Sequence, residues 1–239
     1  GHINQLRSDD GGTVSGRLSM SNPNLQQIPA RDPELGPMIR SLFLPEEGEL
    51  WAAIDYSQQE PRILTHYASV FGRWKGLPLG GAKEFVDGYT NNPNMDFHTM
   101  VADMANISRK QAKTINLGMM YGMGVRKLAD QLDLEFEDAK ELTQQYHSRV
   151  PFVKELMNGV SRSVDQKDDG SLRSLKGRKC RFDMFEPMGY DIQKAMPLKE
   201  AKATYGETAP LKRAYTYKAL NRLIQASAAD MTKQAMVDL

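Results

Sequence analysis

Residues 55–67 read DYSQQEPRILTHY. The run that leads into them, ELWAAIDY (49–56), and an earlier one, MIRSLFLP (38–45), are short, apolar and separated by PEEG. Such runs around a turn signal read as two strands. Asp55 then closes the second strand, where its carboxylate can point out of a sheet edge toward solvent or a metal ion. Mg²⁺ is held by one or two carboxylates together with substrate phosphates. A single Asp in that place can equally do no more than start a turn. Downstream, Ser57 and Glu60 form an S-x-x-E capping box. Ile63, Leu64, Tyr67 and Phe71 recur at helical spacing through residues 57–72. Pro61 lacks an N–H and fits only a first turn, so the helix must begin close to Glu60.

Residues 109–122 read RKQAKTINLGMMYG. At about 100° per residue, Arg109, Lys113, Asn116, Leu117, Met120 and Tyr121 share one side of a helix, with Ser108 placed as its N-cap. Arg offers phosphate a fork of donors and Lys a mobile point charge. Two cations one turn apart repel, which an anionic ligand would relieve. A solvated basic face beside a buried Met/Tyr stripe accounts for the same pattern without a ligand.

Around these two blocks, residues 1–35 are rich in Gly, Ser, Asn and Pro and read as loop or short irregular strand. Helices are expected at 82–89, 96–106, 125–132, 135–149 and 151–167, the last with Pro151 in its first turn. GSLRSLKGRKCRF (170–182) reads as a hairpin turning near Lys176 and Gly177. Its cations Arg173, Lys176, Arg178, Lys179 and Arg181 either neutralise phosphates or form a solvated basic turn. Residues 183–210 carry no decisive pattern, and 211–238 carry a long helical one. Strands early, helices in the middle and a helix again at the close give a partial α+β lobe with a helical lobe inserted into it.

A chain of 239 residues accommodates one large domain or two lobes. With 31 Lys and Arg against 30 Asp and Glu, any nucleic-acid surface must come from local segregation of charge. The single cysteine, Cys180, excludes an internal disulfide framework and fits a reducing compartment. No apolar run approaches the roughly 18 residues of a membrane span, and no signal peptide is visible. A cytoplasmic location and no membrane partner are therefore expected. The chain opens on Gly1 and closes on MTKQAMVDL, which reads as mid-helix, so both ends look cut.

The blocks at 55–67 and 109–122 resemble motifs A and B of family A DNA polymerases, the bacterial DNA polymerase I type, here in a phage-like version. TVSGRLSMSNPNLQQIP (13–29), MDFHTM (95–100) and NRLIQASAAD (221–230) are similar to three further blocks of that family, in the family's order. The resemblance implies that Asp55 is catalytic and holds two Mg²⁺ ions, helped by the Tyr56 carbonyl. It implies that Gln58, Glu60, His98, Arg109, Lys113, Leu117 and Tyr121 meet the incoming dNTP, with Glu60 excluding a ribose 2′-hydroxyl. Arg17, Asn24, Gln26, Asn221 and Gln225 would meet primer–template DNA. Gln59, Pro61, Leu117 and Tyr217 depart from the family's usual residues. Lys218 and Arg222 neighbour the last of these but are expected to face elsewhere.

The fold so implied is α+β: a partial palm of short antiparallel strands plus helices, with a mainly helical fingers subdomain. Residues 1–62 would be a palm portion with motif A, 63–206 the fingers with motif B, and 207–239 a return to the palm that stops before motif C. The implied reaction is template-directed addition of dNTPs to a primer 3′-hydroxyl by two-metal phosphoryl transfer. This chain would be an incomplete core, inactive alone, whose partner is the C-terminal palm segment carrying the third motif. A non-catalytic, nucleic-acid-binding half of a split polymerase and a single-subunit RNA polymerase are the alternatives. A phage-encoded enzyme of this kind would work in a bacterial cytoplasm.

Overall fold

Local capping chemistry sets several of the helix starts. The computed structural model describes residues 1–8, 11–29, 32–74, 79–120, 122–189 and 194–239, with Arg73 and Trp74 described by backbone only. Helix α1 spans Leu35–Arg40, α2 Gln59–Trp74, α3 Ala82–Asn91, α4 Phe97–Ala105 and α5 Arg109–Met120. Asp96 caps α4 by accepting from the Thr99 N–H at 3.0 Å. Ser108 Oγ accepts from the Gln111 N–H at 3.2 Å, and the Gln111 side chain returns to the Ser108 N–H at 3.0 Å. This reciprocal pair is a capping box built on Gln. Helix α6 follows at Val125–Leu132, α7 at Phe136–Arg149 and α8 at Pro151–Asp165, with Pro151 in the first turn as expected. Asn106 and Asp133 close α4 and α6 in the left-handed conformation, which short polar residues tolerate and which turns the chain sharply out of a helix.

The strands form three small antiparallel sheets. β1 (His2–Asn4) pairs with β2 (Ser19–Ser21), and β3 (Ser171–Arg173) with β4 (Lys179–Arg181). β5 (Met184–Pro187) lies between β6 (Met196–Pro197) and β7 (Leu211–Arg213), with α9 (Leu198–Tyr205) in the connection. The expected hairpin at 170–182 forms with Leu172 opposite Cys180, and Gly177 takes the positive φ (+81°) of its turn.

Helix α10, Ala219–Asp238, returns to pack on α2 and α8. The core lies between these helices and α3–α7. It centres on Phe85, whose ring stands 4.9 Å from Phe97 and 5.2 Å from Phe152, with Leu64, Ile115, Leu128 and Leu156 fully buried around them. Helices α2 and α8 approach closely at Gly159, where an added Cβ would come within 2.2 Å of the Phe71 ring.

Two expectations about elements are overturned. Residues 38–45 and 49–56 do not form strands: α1 takes the start of the first run, and 41–56 have no regular structure. Leu50, Trp51 and Ile54 are 93%, 70% and 73% exposed. A strand draws its hydrogen bonds from a neighbour, and no described strand pairs with this run. The second correction is at 211–218, read as helix. There the chain first adds β7 to β5, with Phe185 opposite Arg213, and makes a short 3₁₀ turn before α10 begins at Ala219. Tertiary pairing overrides the helical pattern.

Candidate nucleotide and nucleic-acid interface

The packing of α4 on α5 gathers three cationic or donor side chains. Arg109 opens α5 and reaches back to the cap of α4: its Nη2 and Nε lie 2.6 and 3.2 Å from Asp96 Oδ2. One carboxylate thus caps a helix with one oxygen and orients a guanidinium with the other. Burial pushes the Asp96 carboxyl up, but the Arg109 and Thr99 hydrogen bonds outweigh it and hold it below the usual range. His98, in the first turn of α4, is half-buried and meets Asn116 of α5 through Nδ1 at 3.1 Å. Burial, with the positive charges of Arg109 and Lys113, keeps its imidazole below the ordinary pKa against the pull of Asp96. Lys113 is exposed, and Leu117 is half-buried against the core. His98, Arg109, Lys113 and Leu117 therefore occupy one region, as the sequence led one to expect. Tyr121 lies outside the described residues.

The motif A segment is arranged differently from the expectation. Asp55 and Tyr56 are exposed and precede α2 without a strand to aim them. The Arg62 N–H bonds the Gln58 carbonyl at 3.1 Å, so the helix cap falls on Gln58 and not on Ser57. With the cap on Gln58, Glu60 stands at N2 and not N3, so the expected Ser57–Glu60 capping box is out of register. Gln58 holds a left-handed φ of +53°. Its side chain is a brace: Nε2 donates to the Met95 carbonyl at 2.7 Å, and Oε1 accepts from the Phe97 N–H at 2.9 Å and the Tyr89 hydroxyl at 3.2 Å. These partners engage the same amide that was expected to meet a nucleotide. Glu60 instead faces Arg17, with Oε1 3.8 Å from Nη1.

Two clefts flank the SGRL segment. The smaller, about 220 Å³, is lined by Arg17, Leu18 and Gln26 on one side and Gln59, Ala228 and Lys233 on the other. The larger, about 710 Å³, is lined by Thr13–Ser15, by Asn221 and Gln225 of α10, and by the cations Arg7, Lys179, Arg181, Lys218 and Arg222. Lys218 and Arg222 thus share the cleft of Asn221 and Gln225, against the expectation that they face elsewhere. Arg222 is set by its guanidinium 4.3 Å over the Phe182 ring and by its bond to the Arg181 carbonyl at 2.8 Å. Asn24 accepts from the Gln26 N–H at 3.1 Å, and Gln26 Nε2 donates to the Leu18 carbonyl at 3.3 Å. Both shape their own exposed loop.

The hairpin cations divide. Arg178 is internal: Nε meets Asp230 Oδ1 at 2.7 Å, and Nη2 donates to the carbonyls of Ser15 at 2.7 Å and Ala226 at 3.0 Å. Asp230 Oδ2 takes the Ser174 hydroxyl. Lys179 pairs with Asp169 at 2.5 Å, and Arg173 donates to the Gly177 carbonyl at 2.8 Å. Sequence reasoning missed Arg7 as a cleft residue and Asp96 as the partner of Arg109. The D-x-H spacing was the signal for the latter.

Among the described residues, no group of three or more His, Cys, Asp or Glu is placed to hold a metal. Asp55 and the Tyr56 carbonyl alone do not make up the donor set of an ion site, let alone of two. Nor is any described helix long and apolar enough to cross a membrane.

Comparison with known proteins follows the same lines. The sequence matches the profile of DNA polymerase family A over residues 7–239, and the chain belongs to that family. It is 38% identical to a DNA-directed DNA polymerase of Pseudomonas phage M6, covering 99% of this chain and 38% of the relative. It is 33% identical to the DNA polymerase DpoZ of Acinetobacter phage SH-Ab 15497, covering 97% of this chain and 35% of that one. The chain thus spans little more than a third of the length of these relatives. Among solved structures, the POL domain of Pol1 from M. smegmatis, in complex with DNA primer-template and dNTP, superposes with a TM-score of 0.67. That match has 28% identity and covers 98% of this chain and 36% of the other. The α+β fold agrees with that match.

Proposed function

We propose that the chain is the nucleotide-binding and duplex-binding part of a template-directed DNA polymerase, which adds dNTPs to a primer 3′-hydroxyl. The observation that carries this is the common placement of His98, Arg109 and Lys113 beside the contact of α4 with α5. A fork of donors, a point charge and an imidazole in one place suit a triphosphate. The cation-lined cleft beside Asn221 and Gln225 would follow the DNA backbone, with Arg17, Asn24 and Gln26 on the neighbouring loop. In this reading 1–62 and 207–239 belong to the palm and 63–206 to the fingers. Glu60 and Leu117 lie by the nucleotide sugar, and Tyr121 lies near the templating base.

Divalent metal is general to the family. Here Asp55 and the Tyr56 carbonyl would supply part of a two-Mg²⁺ site, and further carboxylates would come from a palm segment outside these 239 residues. That inference rests on the absence of an acidic cluster among the described residues and on the share of its relatives that the chain spans. The same observation favours a second reading, a non-catalytic binding half of a split polymerase. The enzyme would act in the cytoplasm of a bacterial host.

Fluorescence anisotropy of a labelled primed duplex tests the binding role. The expected result is affinity that falls steeply with salt. Lys218→Ala with Arg222→Ala should shallow the log–log slope by roughly one per lost phosphate contact. Binding indifferent to salt would overturn the cleft assignment. Restored primer extension on supplying the downstream palm segment would decide for the enzyme over the split binding module, and competition between rNTPs and dNTPs would decide against an RNA polymerase.

A further inference from the structure

Behind His98 lies a buried polar chain that the nucleotide reading does not use. Asn116 is 1% exposed and Tyr146 is fully buried. The Tyr146 hydroxyl donates to Asn116 Oδ1 at 2.7 Å, and Asn116 Nδ2 stands 3.1 Å from His98 Nδ1. The residues come from three different helices, α7, α5 and α4.

The direction of this chain is fixed at its buried end. Among the described residues, Asn116 is the hydrogen-bond partner of the Tyr146 hydroxyl. With the amide turned the other way, Nδ2 would donate to that oxygen and leave a buried O–H without an acceptor, a cost of about 1–3 kcal/mol. The hydroxyl therefore selects the amide oxygen for itself and turns the amide N–H toward the imidazole. An imidazole nitrogen that accepts carries no proton, so the ring proton must sit on Nε2. The charges that face the ring are Asp96 on its own helix segment and Arg109 and Lys113 on α5.

We infer that Asn116, set by Tyr146, is a positioning residue that holds His98 as the Nε2–H tautomer, so that the neutral imidazole presents a donor and not a lone pair to a phosphate oxygen beside Arg109 and Lys113. The last clause rests on the nucleotide reading above; the tautomer does not. A bare lone pair there would repel the phosphate. The relay lets His98 act as a donor without needing to be charged, while α7, far along the chain from motif B, sets which nitrogen carries the proton.

The test is long-range ¹H–¹⁵N NMR of the ¹⁵N-histidine-labelled 239-residue chain at pH 8, without metal. The expected result is Nε2–H for His98 in the wild type. In Tyr146→Phe the amide is free to turn, and the preference should fall by roughly five- to tenfold, the effect of one ordinary hydrogen bond. Asn116→Ala should move it the same way, and thermal melts identify which variants remain folded. An Nδ1–H wild type would overturn the inference. So would an unchanged Nε2–H preference in both folded variants. Inorganic tripolyphosphate is then added. A shift of His98 Nε2 supports the donor role; no shift, with the tautomer and its Tyr146 dependence as expected, would overturn the phosphate clause and the nucleotide reading while leaving the relay standing.

Discussion

Arg17 and Glu60, 43 positions apart in sequence, face each other across 3.8 Å, joining the SGRL loop to the first turn of α2. The loop residue assigned to the duplex and the carboxylate assigned to the nucleotide sugar are thus neighbours. Arg17 is 56% exposed, so the pair itself adds less than about 1 kcal/mol to stability. In the complete polymerase, Glu60→Ala is expected to relax exclusion of ribonucleotides far more than it lowers the melting temperature. Glu60→Gln, which keeps the bulk, should fall between. The ratio of kcat/KM for dNTP and rNTP measures this; an unchanged ratio in the Ala variant would leave Glu60 a structural residue only.

Leu117 lies four residues after Lys113 on α5 and is half-buried beside it. Leu carries neither hydroxyl nor ring, so strong discrimination against dideoxynucleotides is expected in the complete enzyme. Leu117→Tyr should relax it by supplying a hydroxyl where the 3′-hydroxyl is missing. Leu117→Phe should alter the rate of dNTP addition more than the selectivity. The readout is the dNTP/ddNTP ratio of kcat/KM in the three enzymes, and a ratio indifferent to Tyr would mean that Leu117 does not face the sugar.

Arg178 and Asp230 tie the hairpin, α10 and the SGRL loop together. The Asp230 side chain is only 8% exposed. Removing Arg178 strands a buried carboxylate, and Arg178→Ala should cost about 3 kcal/mol in urea unfolding. Gly16→Ala should also destabilise, because Gly16 sits at φ +81° and an added Cβ would fall 2.5 Å from Arg178 Nη1. Loss of under half a kcal/mol in both, against the usual scale of surface substitutions, would mean that this junction is loose.

The acid limb of stability should carry two steps. The His98 pKa in the folded chain lies below its ordinary 6.5. The unfolded state therefore binds the proton first, and stability that is full above pH 6.5 declines as pH falls through the folded value. Asp96, depressed from 3.8, adds a second decline that begins near that pH and completes below its folded value. His98→Gln should lessen the first step, which His147, also lowered by burial, shares, and Asp96→Asn the second, which Asp169, lowered by Lys179, shares. Asn retains the N-cap but not the charge, so the Asn variant should already lack near neutrality the stability that the wild type sheds in this step. Urea midpoints measured across pH decide this, and a His98→Gln profile that parallels the wild type would remove His98 as the source.

The helical part of the fold was legible because its signals are local. Pro151, Ser108 and the apolar spacing of α2 lie within a turn or two of the elements they define. Arg109 and Lys113 could be placed from the helical period alone. The strand expected at 49–56 failed for the opposite reason: its hydrogen bonds belong to a neighbour that its own residues do not specify. Arg178 looked like one cation of a basic run because its partners, Asp230 and Ser15, are 52 and 163 residues away. The role of Asn116 was equally invisible, since Tyr146 reaches it from another helix.

Helix α2 is closed by residues that come very late in the chain. Gln59 bonds the Ala228 carbonyl and the Thr232 hydroxyl, both at 3.2 Å, and the Tyr67 hydroxyl meets Ser227 at 2.8 Å. Contacts across about 170 residues add little further loop-closure cost per residue but raise the contact order and slow folding. On a ribosome, α3–α8 can consolidate while α2 still lacks one wall of its groove. The helix that follows Asp55 then gains its last wall only when α10 clears the exit tunnel, so a nonsense codon between Asp165 and Ala228 would release a chain in which α2 can pack on α3 and α8 but lacks the late partners of Gln59 and Tyr67.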